Sequence, residues 1–251
     1  MLDAIATLIP QFDWSLAMVY LRLQACILIL PGIGERLLPA RVKVAIAIAL
    51  TPLMGEFAPP MVIPDTPMAI FGAALPELAI GFVVGGLVRI MAIAIDMAAT
   101  AIAMTASLAQ LIGGTGDSAP HPVGNLLHLA GLAVLFAMGL PAMIVDLLAD
   151  SFAIWPSGML PGIAGIAPAA VMFVAKSFGL ALLLAAPFIL GGFLFQSLTG
   201  VINKVMPSLP VAFIGAPAAI LLALSALVLL APMLVEIWTS AVFSITLPEM
   251  R

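Results

Sequence analysis

Between Met68 and Ile112 the chain runs for 45 residues with ionisable side chains only at Glu77, Arg89 and Asp96. A helix crosses the hydrocarbon of a bilayer in about 20 apolar residues, with a range of roughly 17 to 25. This run is long enough for two spans joined near Arg89–Asp96, or for one helix extending past the membrane. Other apolar runs cover Trp14–Leu30, closed by Pro31-Gly32, and Val42–Phe57, closed by Pro59-Pro60. Further runs cover Leu126–Leu148 and Pro168–Leu198, and a last one starts near Leu209 and continues beyond Leu234. The count is six spans, or seven if the third run folds back.

Transmembrane β-strands alternate apolar and polar residues over about ten positions. These runs are apolar on every face, so the expected fold is all-α. It is a polytopic membrane helix bundle of about six long, kinked hydrophobic helices, forming one integral-membrane domain over residues 1–251. No polar stretch exceeds a short loop, which leaves no soluble domain for separate chemistry. No internal repeat is evident.

Composition agrees. Charged residues make up 8% of the chain and the mean hydropathy is +1.30, whereas soluble domains carry about 25% charged residues to keep their surfaces wet. The net charge is −4 and no basic run exists to neutralise phosphates, so nucleic acid is not an expected partner. Cys26 is the single cysteine, cannot form an intrachain disulfide, and reads as a small packing residue. Asp3 and Asp13 precede the first basic residue, Arg22, which does not fit a cleavable signal peptide; insertion by an uncleaved first span is expected. Arg36, Arg41 and Lys43 favour a cytoplasmic loop between the first two runs. The Pro59–Pro67 loop, with Asp65 and no base, then lies outside, and Lys204 marks another cytoplasmic loop. Both cytoplasmic placements hold together only if Met68–Ile112 crosses once.

The sharpest pattern lies in the third run. Glu77, Gly81, Gly85 and Arg89 recur every four residues and share one helix face. Two glycines at that spacing form a notch where another helix can approach closely. Glu77 and Arg89 are about 18 Å apart along the axis, so they cannot pair with each other. Each needs another partner, such as Arg22, Asp96 or a second subunit. The plainer reading is a tight helix contact with buried structural charges; the competing one is a gating or proton-relay residue.

The segment Gly113-Gly114-Thr115-Gly116-Asp117-Ser118-Ala119-Pro120, continuing to Gly124, cannot extend a helix and reads as a loop. It lacks the Lys and the preceding strand of a phosphate-binding loop. It is either a polar loop at the bilayer surface or irregular backbone buried in an assembly. His121 and His128 make a poor metal pair, with Asp117 available only by loop folding, and no metal or cofactor is expected. Ser107 and His128 are available for an intramembrane hydrolase, but no nucleophile motif surrounds Ser107. The fifteen methionines read as core filler.

Several segments in order resemble the FliR family of flagellar and type III secretion export-gate proteins. They are Leu21-Arg22, Pro31–Gly34, Leu38–Lys43, Pro76–Gly86, a Gly-containing loop with Asp117, Ser151-Phe152 with Pro156 and Gly158, Ala186-Pro187, Asn203–Pro207 and Phe213–Pro217. The resemblance covers nearly the whole chain. It implies a structural channel subunit, not an enzyme, that assembles with several FliP and FliQ subunits into a hetero-oligomeric export gate in the bacterial inner membrane. It further implies FlhB as a partner and a passage for unfolded flagellar substrates, driven by proton motive force and an export ATPase, at the base of the flagellum. The equivalent subunit of a virulence secretion system is an alternative, and a stand-alone small-solute permease is another, which predicts a midplane site built from broken helices. By position, the family's channel-plugging loop corresponds to Leu111–Val123. The Gly113–Pro120 stretch departs from it in lacking bulky apolar residues. If helices pack on other subunits in this way, some of the six runs need not cross the bilayer.

Overall fold

A computed structural model of the chain describes residues 14–35, 38–59, 66–105, 122–159, 163–206 and 211–247. All regular secondary structure among them is helical. The helices are α1 (Trp14–Ile29), α2 (Ala40–Gly55), α3 (Pro67–Ala92), α4 (Ala94–Thr105), α5 (Pro122–Ala137), α6 (Leu140–Ile154), α7 (Ile163–Val205) and α8 (Val211–Phe243).

Length separates them into classes. Three helical stretches, Pro67–Ile102, Ile166–Val205 and Pro217–Phe243, are long and apolar enough to cross a membrane, and the broken pair α5–α6 makes a fourth if it is one span. The all-helical membrane class is therefore as expected, but the six runs reduce to three or four spans by length among the described residues. The first two runs form 16-residue helices. Such helices reach about 24 Å, short of a hydrocarbon core of about 30 Å.

Two runs differ in continuity from their expected form. Met68–Ile112 does not fold back near Arg89–Asp96: α3 breaks only at Ile93, and the helix continues as one 36-residue stretch to Ile102. The backbone N–H groups of Asp96 and Met97 both donate to the Ile93 carbonyl, which restarts the ladder at once. Leu126–Leu148, expected to be one span, is broken at Met138–Gly139. Gly139 has φ +98, a left-handed conformation that glycine adopts without steric penalty. Pro141 then sits in the first turn of α6, where its missing N–H goes unneeded. The same logic lets α5 start at Pro122, inside the expected loop.

The chain forms two compact units: Met1–Arg89 with Leu140–Met172 and Ile245–Arg251, and Ile90–Gly139 with Phe173–Ser244. In the first, α1 is the core. Its Met18, Val19, Arg22, Leu23, Cys26 and Ile27 are all buried. Helix α2 presents the stripe Lys43, Ala47, Thr51 and Met54, spaced by four, four and three residues as one helix face requires. In the second unit, Gly131 of α5 lies against the indole of Trp238 and beside Ile95, where a Cβ would come within 3.0–3.1 Å of their side chains. Ser177 donates to the Ile90 carbonyl at 2.6 Å.

Candidate functional site

The row Glu77, Gly81, Gly85 and Arg89 faces the first unit's core. Opposite the two glycines the backbone of α1 comes so close that any Cβ would collide with it. At Gly81 the Cβ would meet the Arg22 carbonyl oxygen and lie 2.8 Å from the Ala25 Cβ; at Gly85 it would lie 2.7 Å from the Cys26 carbonyl oxygen. Removal of two side chains thus sets the spacing of α1 and α3. That spacing brings Arg22, one turn above Cys26, within reach of Glu77.

The two charges meet out of water. Arg22 Nε donates to Glu77 Oε2 at 2.7 Å, and both side chains are 0% exposed. Each keeps further partners. Arg22 Nη1 donates to Ser151 Oγ at 3.1 Å, and Nη2 donates to the Trp155 carbonyl at 3.0 Å. The guanidinium stacks 3.9 Å from the centroid of the Phe152 ring. The second carboxylate oxygen, Glu77 Oε1, accepts the backbone N–H of Gly158 at 2.9 Å. Gly158 has φ +83, so the turn that aims this N–H at the carboxylate is one glycine takes readily. Ser151 Oγ in turn donates to the Leu148 carbonyl at 2.6 Å, which leaves its lone pairs turned to the guanidinium.

A buried ion pair is tolerable only when its remaining donors and acceptors are also satisfied. Here all three guanidinium nitrogens and both carboxylate oxygens are engaged. The node ties α1, α3, α6 and the Trp155–Gly158 turn together. It presents no exposed nucleophile, and its chemistry is positional: it holds four chain segments in one register.

Arg89, at the far end of the row, pairs with Glu35 at 3.5 Å. Glu35 also accepts the Gly32 N–H at 3.4 Å. Lys43 donates to the carbonyls of Gly34 and Glu35 at 2.8 and 2.9 Å, so it braces the turn after α1 while shielded from solvent. Asp96 Oδ1 lies 2.7 Å from His128 Nδ1.

Sequence reasoning named Arg22 among the possible partners of Glu77. It did not single out Ser151, Trp155, Gly158 or Glu35 as polar partners. Ser151-Phe152 and Gly158 appeared only as resemblance motifs, with no signal for what they touch. The row Gly113, Gly114, Thr115, Gly116, Asp117, Ser118, Ala119 and Pro120 lies outside the described residues, as do Ser107 and His121. Among the described residues no group of three or more His, Cys, Asp and Glu side chains is placed to hold a metal ion.

Residues 14–245 match the model of the family described as bacterial export proteins, family 1. A flagellar biosynthetic protein FliR of Caulobacter vibrioides is 30% identical over 229 residues, which covers 89% of this chain and 90% of the relative. The protein of the same name from Pectobacterium carotovorum is 25% identical, covering 90% of this chain and 86% of its own. That from Aquifex aeolicus is 26% identical, covering 89% and 88%.

Proposed function

The chain belongs to the bacterial export proteins of family 1, the FliR family, and from that premise we propose that it is a structural channel subunit of the flagellar type III protein export gate. It lies in the inner membrane at the base of the flagellum and helps form the path taken by unfolded substrates. FliP-, FliQ- and FlhB-type membrane subunits are its partners. Its role is non-enzymatic and uses no cofactor.

One observation carries the multi-subunit reading. Helix α7 exposes large apolar side chains from Val171 to Val205, 70% and 72% exposed respectively. That strip is about 51 Å long at 1.5 Å per residue. A hydrocarbon core of about 30 Å accommodates roughly 39 Å of helix even at the 40° upper end of observed tilts. At least about 10 Å of apolar strip then needs another cover. Neighbouring membrane subunits supply it, whereas a stand-alone permease leaves it in water or headgroups.

The reading is tested by deleting the gene and scoring flagellin in the culture supernatant and motility, with the intact gene restored as control. Loss of both, with restoration on complementation, is expected, as is co-purification of the tagged chain with other membrane subunits. A deletion strain that still secretes flagellin and swims overturns the reading.

A further inference from the structure

Helix α8 carries one ionisable side chain, Glu236, and shows it to the outside. The helix turns a different face to the second unit's core: Trp238 and Val242 are buried. At about 100° per residue, Trp238 stands about 200° around the axis from Glu236. Leu222 and Leu229 precede Glu236 at seven-residue intervals, a spacing that drifts by only about 20° per heptad, so the three share one stripe. Leu229 is 78% exposed, and Leu222 is exposed as well.

The carboxylate cannot be moved out of the apolar span. Pro217–Phe243 is a stretch of 27 residues long and apolar enough to cross a membrane, and a crossing takes about 20. Every run of about 20 consecutive residues within that stretch includes Glu236, and tilt only lengthens the run. Ionisable residues in membrane helices are rare, and they face protein or a water-filled cavity where they find a partner. Within this chain Glu236 finds none: among the described residues no donor reaches its carboxylate. On α7 the Lys176 ammonium lies 5.8 Å from the Phe173 ring centroid and pairs with no described carboxylate.

We propose that the outward stripe Leu222, Leu229 and Glu236 docks a membrane-spanning helix of another protein subunit, which sets a lysine or arginine against Glu236. The leucines supply apolar contact, and the carboxylate supplies register and selectivity. A lipid tail offers no donor to the carboxylate. A second copy of the same stripe brings a second carboxylate against the first, and like charges facing each other are repelled. Charge complementarity therefore selects a different chain with a basic residue at that height. The inference rests on the multi-subunit reading above and names the chemistry of one neighbour.

The test places the photocrosslinker p-benzoylphenylalanine at position 229 of the full-length chain, in the bacterium that makes it. The same residue at position 231, where Ala231 lines a pocket within the chain, is the control. Irradiation is expected to join position 229, and not position 231, to another membrane protein. Mass spectrometry is expected to map the adduct to a membrane helix with Lys or Arg within about two turns, the distance from Leu229 to Glu236. Glu236→Gln, which keeps the shape, is expected to lower adduct yield and co-purification of that protein at least about tenfold, and Glu236→Asp to retain both. Glu236→Lys is expected to abolish both, and exchange of the partner's basic residue for an acidic one to restore them. An adduct with lipid alone or with a second copy of this chain overturns the proposal, as does a partner helix without a basic residue or an unchanged yield in Glu236→Gln. The two readings fail separately. A deletion strain that still secretes flagellin, with a Glu236-dependent adduct, sinks the export reading and leaves the docking surface; lost secretion with no such adduct does the reverse.

Discussion

Arg22 and Glu77 meet at 2.7 Å across α1 and α3 with no exposed surface on either side chain. Neither has water to fall back on, so each depends on the other and on the partners around them. Removing one charge strands the second, and loss of one member of a buried pair typically costs about 3–5 kcal/mol. Glu77→Gln and Arg22→Met are each expected to destabilise the protein by that amount. Arg22→Met combined with Glu77→Gln is expected to cost less than the two single losses summed, because no charge is stranded. Thermal unfolding of the detergent-solubilised protein, arranged as a double-mutant cycle, reads the coupling; additive losses would count against it.

Exchanging the charges tests the polarity of the shell. Arg22→Glu with Glu77→Arg keeps an ion pair but turns a carboxylate toward the Trp155 carbonyl and a guanidinium toward the Gly158 N–H. Both contacts become repulsive. The swapped protein is expected to be no more stable than the worse single variant, measured by the same unfolding assay. Rescue to near the parent stability would show that the pair alone matters.

The glycines on the row offer a graded comparison. Gly81→Ala and Gly85→Ala push a methyl group against the α1 backbone, whereas a Cβ at Gly86 meets nothing within 4 Å. Backbone cannot yield as a side chain tip does, so the first two are expected to destabilise by about 1–3 kcal/mol, as overpacking does. Gly86→Ala is expected to be neutral or to stabilise by about 0.5–1 kcal/mol through helix propensity. Equal effects at all three positions would contradict the close approach at Gly81 and Gly85.

Cys26 reports on the same interface. It is the single cysteine, is buried, and its carbonyl lies against Gly85. A thiol-reactive maleimide should label it slowly in the parent protein, through transient opening of α1 from α3. In Gly85→Ala or Glu77→Gln, labelling should accelerate about tenfold for each 1.4 kcal/mol by which the opening is eased. Rapid labelling of the folded parent would place Cys26 at the surface and count against the described packing.

Much of the fold was legible beforehand. An apolar run longer than 20 residues is a local property, and so is a glycine every fourth position; both predicted helices and one packing face. The breaks were less legible. Leu126–Leu148 is apolar but for His128 and Asp146, and nothing in its hydropathy marks Gly139 as the residue that takes φ +98. Lys43 reads as a loop charge when counted with Arg36 and Arg41, and only the turn folding back onto it shows that it serves two carbonyls.

By itself the sequence determined the solvent class, the helical fold and the face on which Glu77 and Arg89 lie, because these follow from composition and period along a single segment. The partners of those charges were decided by tertiary structure. Glu77 pairs with a residue 55 positions away, and Arg22 reaches Ser151 across 129 positions. No local pattern encodes which helices meet, and a buried charge gains its stability only from the groups that the meeting helices bring to it.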